Sequence, residues 1–266
     1  MVTLHAWAKP ANLIGKWADH TWVTTYDNRQ AQPGSLEEVA SAGEHLWMCW
    51  GAFHPRGGAP GHADGLIVTG DGRLPLAGCV VQANADSVKV PAARGTVSLY
   101  GIHGVCHQVA NQVLHATATA NAPPVSVRGS RGYYKSVYFY RQYGRRDSAW
   151  AAKLDACLEG SGVDAMFDDG DDFTLRAQRV LTDRNDLLGD LLARRRDFDA
   201  ELDAMGERAD ITAEEIDARL RNHLVEVAGQ LGQQRFEAIF EQDVEDEMNL
   251  IDRDIFAASR ADPAAG

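Results

Sequence analysis

No stretch of this 266-residue chain approaches the run of about 18 apolar residues that a membrane-crossing helix needs. The segment from Met1 to Trp7 has neither a basic start nor a long apolar run, so no secretory signal is expected there. Cysteine is scarce: Cys49, Cys79, Cys106 and Cys157 are widely spaced and form no CxxC pair. That pattern argues against a disulfide framework and points to a reducing, cytoplasmic setting. Asp168 to Asp172 is acidic but lacks the twelve-residue calcium-loop pattern, and it reads as a charge cluster at a helix amino terminus. No internal repeat is present.

Charge is unevenly distributed. The formal net charge is −12. Residues 151–266 hold 13 basic and 29 acidic side chains, a net of −16, which leaves +4 for the rest. A free-standing nucleic-acid binder does not usually carry so acidic a half, so no nucleic-acid partner is expected. The asymmetry predicts a mildly basic body over residues 1–146, followed by an acidic helical domain or cap over 147–266.

Residues 2–8 and 19–26 read as strands, the second rich in Thr, Trp, Val and Tyr, with His20, Trp22, Thr24 and Tyr26 on one face. Ser35 with Glu38 forms a capping-box pattern. A third strand covers 44–50, with His45, Trp47 and Cys49 sharing a face. Further strands are expected at 66–69, 77–82 and 96–100, and 124–128 and 136–140 are also strand-like. Beyond Asp147 the pattern becomes helical. Ala151–Leu158 is one helix, and a long one runs to about Met205. Its stripe of Val180, Leu187, Leu191, Phe198, Leu202 and Met205 faces a core, interrupted by Arg194-Arg195-Arg196. Thr212 with Glu215 caps another helix, and 236–256 reads as the last.

The most informative stretch is Tyr100 to Leu114. Gly101 and Gly104 break a strand, and Val105, Val109, Val113 and Leu114 then recur at helical spacing. Cys106 thus falls in the first turn of a helix, where unpaired N–H groups and the helix dipole favour a thiolate. His103 and His107 flank it. A cysteine so placed is a candidate nucleophile, and it needs a base within reach and a group to orient that base. His20, on the most strand-like segment, is the first choice of base, and His45 on the next strand is the candidate orienting residue.

A His on a strand, a polar residue on the next strand and a Cys opening a later helix resemble the circularly permuted, papain-like NlpC-type superfamily. That group includes lecithin:retinol acyltransferase-like proteins, peptidases and amidases. The resemblance spans roughly residues 1–145. It implies an α+β fold, with an antiparallel sheet packed against the Cys-bearing helix and the acidic helical region following. It also implies acyl transfer without a cofactor: His20 takes the Cys106 proton, the thiolate attacks an amide, ester or thioester carbonyl, and water or an amine resolves the thioester. The N–H of Cys106 would help hold the oxyanion, with Tyr100 nearby. Candidate oxyanion- and substrate-binding residues are Tyr100, His103, His107, Gln108, Arg128 and Arg131. The basic residues Arg128, Arg131 and Lys135 suit either an anion pocket or a solvated strand edge.

Two other classes compete. One is a metalloenzyme using His54, His62 and Asp64, or His103 and His107. The other is a non-catalytic interaction protein whose acidic helices bind a protein partner or self-associate. No metal is expected in the acyl-transfer reading, whose substrate is a small-molecule or peptide acyl group.

Overall fold

The computed structural model describes residues 2–10, 18–24, 46–48, 66–69, 72–75, 80–83, 97, 99–115, 126–145, 170–244 and 251–261. Among the described residues there are six strands, β1 (Val2–Pro10), β2 (Asp19–Thr24), β3 (Leu46–Met48), β4 (Leu66–Thr69), β5 (Gly72–Pro75) and β6 (Val80–Ala83). They also hold seven helices: α1 (Cys106–His115), α2 (Tyr133–Tyr140), α3 (Asp172–Val180), α4 (Asn185–Glu207), α5 (Ala213–Leu231), α6 (Gln233–Phe240) and α7 (Arg253–Ala261). The fold is α+β. One antiparallel sheet has the order β3-β2-β1-β6, and β4 pairs with β5 in a separate two-stranded ribbon.

The pairing of β1 with β2 places Trp7 opposite Trp22, Ala8 opposite Thr21 and Ala6 opposite Val23. Because side chains alternate along a strand, Trp7, His20, Trp22 and Thr24 share one face and Ala6, Ala8, Thr21 and Val23 the other. The Trp7 indole N–H donates to Thr24 Oγ1 at 2.7 Å on the first face. The second face carries small side chains, and α1 packs against β2 there, with Cys106 meeting Thr21.

Helix α1 is buried on its polar side as well as its apolar one. Val109, Ala110 and Leu114 join the apolar core. Gln108, Asn111 and Gln112, spaced three and four apart, lie on one face of the helix. Their amide nitrogens donate to the carbonyls of Arg141 (2.9 Å), Gln142 (2.9 Å) and Tyr143 (2.6 Å). Three successive carbonyls of irregular backbone are thus satisfied by side chains.

Helix α2 is buried all round and packs against α1, α3, α4 and α6. Its carboxyl end is closed by Arg195 of α4, whose guanidinium donates to the carbonyls of Val137 (2.6 Å) and Tyr138 (2.8 Å). The same guanidinium meets Asp171 at 2.5 Å, and Asp171 also accepts from Thr174 N to cap α3. One apolar cluster runs from Ala6 and Trp7 through α1 and α2 to Phe256.

Several expectations change. Residues 99–104 form a tight turn, not a strand: Leu99 O accepts from both Ile102 N and His103 N, and Gly101 sits at φ 79. Residues 136–140 belong to helix α2, because burial on every side outweighs the strand preference of Val, Tyr and Phe. The long helix to Met205 breaks at 181–184, where the Thr182 hydroxyl bonds back to Gln178 O and Arg179 O. The last helical stretch divides at Glu241, at φ 57. Asp171 and Asp172 do mark a helix amino terminus, and Thr212 and Glu215 form a complete capping box. The expected helices at 35–38 and 151–158 lie outside the described residues. Among the described residues no helix is long and apolar enough to cross a membrane.

Candidate active site

Cys106 opens α1, as its sequence predicts. Val105 holds the cap position. Its carbonyl accepts from Val109 N at 3.3 Å, and its own N–H donates to Gln108 Oε1 at 3.0 Å. That arrangement is half of a capping box, with Gln108 reaching back from the third helical residue. Cys106 is a free thiol, half-buried. It donates to the Asp19 carbonyl at 3.7 Å, and the backbone of Thr21 and of His107 favours its anion. Burial nevertheless raises the thiol above the ordinary cysteine value, and the Asp19 carboxylate adds to that rise. The expected dipole-stabilised thiolate is therefore not the resting state, because desolvation outweighs the donors.

His107 is fully enclosed. Its Nδ1 lies 2.8 Å from Ser136 Oγ. Ser136 directs its only hydroxyl proton to Tyr133 O at 2.8 Å, and the Gln108 amide donates weakly to the same oxygen at 3.5 Å. Ser136 is thus placed to accept from a His107 Nδ1–H. Nε2 is buried without a hydrogen-bond partner. Burial pushes the imidazole down to about 4, against an opposing pull from Asp19. It is neutral near pH 7. The ring and the Cys106 thiol both approach the Asp19 carbonyl.

Asp19 is itself anchored. Its carboxylate accepts from Arg131 N at 2.8 Å, Nε at 3.1 Å and Nη2 at 3.0 Å, and its N–H donates to Arg131 O at 3.0 Å. This clasp ties the start of β2 to the loop before α2. It makes Arg131 a structural partner of Asp19.

The other expected residues fall as follows. His20 is not brought to Cys106: the pleat of β2 turns it to the face opposite Thr21, where it stacks on Trp22 at 5.5 Å. His45 lies outside the described residues, as do His54, His62 and Asp64. Tyr100 gives its N–H to Ser259 Oγ at 3.3 Å, so that group is not an oxyanion donor. His103 is half-buried, and its carbonyl accepts from Arg145 N. Both ends of the Gln108 amide are engaged in holding α1, which removes it from substrate binding. Arg128 is half-buried on the loop before α2. Lys135 is buried rather than solvated, donating to Asp243 O at 3.1 Å. Among the described residues no group of three or more His, Cys, Asp or Glu is placed to hold a metal ion.

Thr21, Asp19 and Ser136 were not singled out in the sequence. Asp19 and Thr21 flank His20, and alternation along a strand would have placed them together on the opposite face. Ser136 carries no signal beyond its place in an aromatic run. Comparison with protein-family models, curated proteins and solved structures returns no match, so function is read from the chemistry of the site.

Proposed function

We propose that the chain is a cysteine-dependent acyl-transfer enzyme, an amide or peptide hydrolase or an acyltransferase, with Cys106 as nucleophile and His107 in place of His20 as base. The observation that carries this reading is the pairing of a helix-opening thiol with a buried, neutral imidazole, both of which approach the Asp19 carbonyl. A buried acceptor without a partner is costly to keep, and proton acceptance during a reaction gives it a use.

The Cys106 sulfur forms a bond to the acyl carbon as its proton passes to His107 Nε2. The N–H groups of Thr21 and His107, whose backbone favours the sulfur anion, are the candidate donors for the developing oxyanion. Collapse breaks the bond from carbon to the leaving amine, alkoxide or thiolate, which takes the proton from Nε2. Water or an amine then attacks the thioester and regenerates the thiol. The raised thiol and lowered imidazole oppose this transfer at rest. The pair is therefore a dormant one, in which substrate must assist ionisation. A reducing, cytoplasmic setting and a small-molecule or peptide acyl substrate accompany this reading, as does kinship with the NlpC-type group. No cofactor is invoked.

Intact-mass analysis after brief exposure to an activated thioester and, separately, to iodoacetamide tests it. Single acylation lost in Cys106→Ser and slowed in His107→Gln, with His20→Ala unchanged, is the expected result. A thiol modified only after denaturant is added would make Cys106 a core residue and end the enzyme reading. Loss in His20→Ala with His107→Gln unaffected would return the base to β2.

A further inference from the structure

We propose that the carboxyl-terminal helices position the Cys106 turn, through two interlocking contacts between an isoleucine and a glycine. The turn 99–104 directly precedes the thiol. Ile251, just before α7, presses on the bare Cα of Gly101, where an added Cβ would lie 2.8 Å from Ile251 Cδ1. In the reverse sense, Ile102 of the turn presses on Gly206 of α4, where an added Cβ would lie 2.8 Å from Ile102 Cγ2. Each partner thus offers one branched side chain and one missing side chain.

Three polar ties surround these sockets. Ser259 of α7 accepts from Tyr100 N at 3.3 Å. His103 O accepts from Arg145 N at 2.8 Å, and the Arg145 guanidinium bonds Asp199 at 3.0 Å and also Asp203, both on α4. Gly101 at φ 79 requires glycine for its backbone alone. Gly206 has no such reason. It lies in the last turn of α4 and its φ is not positive. Its use there is the seat it gives Ile102. Gly189, in the same helix, meets nothing within 4 Å and seats no side chain.

The turn, and the thiol beyond it, are therefore held in register from the acidic half of the chain. Displacing α4 or α7 would release the turn and the helix start that carries Cys106. The consequence for catalysis rests on the acyl-transfer reading, whereas the coupling itself does not.

The test compares Gly206→Ala with Gly189→Ala in the full chain. It reads amide hydrogen exchange in peptides covering 99–107 and the pH profile of Cys106 alkylation by iodoacetamide. Gly189→Ala should leave both unchanged. Gly206→Ala should speed exchange in the turn about tenfold and move the alkylation midpoint down toward that of an ordinary cysteine. Adding Ile102→Ala removes the clash and should move both part of the way back. Ile251→Ala loosens the turn without adding a clash, and it serves if Gly206→Ala fails to fold. Exchange unchanged in Ile251→Ala, or Gly206→Ala matching Gly189→Ala in both readouts, overturns the proposal. A wild-type thiol that resists alkylation in the native state ends the acyl-transfer reading, while the exchange comparison still decides the coupling.

Discussion

Two buried polar clusters lie on either side of α2, and they are finished differently. Around Arg195 every guanidinium N–H has an acceptor: Tyr138 O, Val137 O, both oxygens of Asp171 and Thr174 Oγ1. Around Cys106 the thiol is desolvated, and the His107 imidazole keeps one nitrogen without a hydrogen-bond partner. The first arrangement is what a structural ion pair needs, since a buried charge is tolerable only when its hydrogen bonds are complete. The second leaves one imidazole nitrogen without a hydrogen-bond partner beside a desolvated thiol. The contrast sets a completed cluster against the one on which the proposed function rests.

The largest effect should come from breaking the complete cluster. Arg195→Leu strands the Asp171 carboxylate, 2% exposed, and frees the last carbonyls of α2. Removal of one partner of such a pair costs about 3–5 kcal/mol, which should appear as a lowered denaturation midpoint in urea. Asp171→Asn should be milder, because it can still cap α3 through its side-chain oxygen. Equal losses in the two variants would mean that the charge, and not the hydrogen-bond set, holds this junction.

The next effect is a dependence on pH. His107 and His223 are both held down to about 4 by burial, His223 also by Arg219 and Arg194. In the unfolded chain they titrate near 6.5. Between those values the unfolded state binds more protons, so stability is full above about pH 6.5 and falls as pH drops toward 4. Each imidazole accounts for about 3 kcal/mol of that loss. Urea titrations across this range should show the slope, and His107→Gln should remove roughly half of it. An unchanged slope in that variant would mean that His107 is not held neutral as described.

How much of this was legible depends on whether the signal was local. The β2 strand, the α1 start at Cys106, the Thr212 cap and the Asp171–Asp172 helix start all follow from patterns within a few residues, and each is present. Helix α2 was not legible. Its Val, Tyr and Phe residues favour strands, and only all-round burial with Arg195 at its end makes it helical. Gln108, Asn111 and Gln112 are buried to serve carbonyls about 30 residues away, a need no local pattern reveals. Strand identity placed His20 well, but choosing it over Asp19 and Thr21 required knowing which face α1 covers.

The smallest predicted effect sharpens the contrast most. Thr174→Val removes one acceptor from Arg195, yet Nη1 keeps Asp171 Oδ1 at 3.2 Å, so the cluster should lose about 1 kcal/mol or less. Ser136→Ala removes the acceptor of His107 Nδ1–H, for which the His107 contacts offer no substitute. Its stability cost should be similar, about 1 kcal/mol, but its chemical effect should be distinct. The imidazole should hold its proton on Nε2 and donate to the Asp19 carbonyl, so that Nε2 is lost as a base. Nitrogen NMR of the His107 ring reports that tautomer directly. Acylation of Cys106 should fall in Ser136→Ala and hold in Thr174→Val despite their matched stability. If the two variants acylate equally, the Ser136–His107 contact is packing, and the incomplete cluster has no more chemistry in it than the complete one.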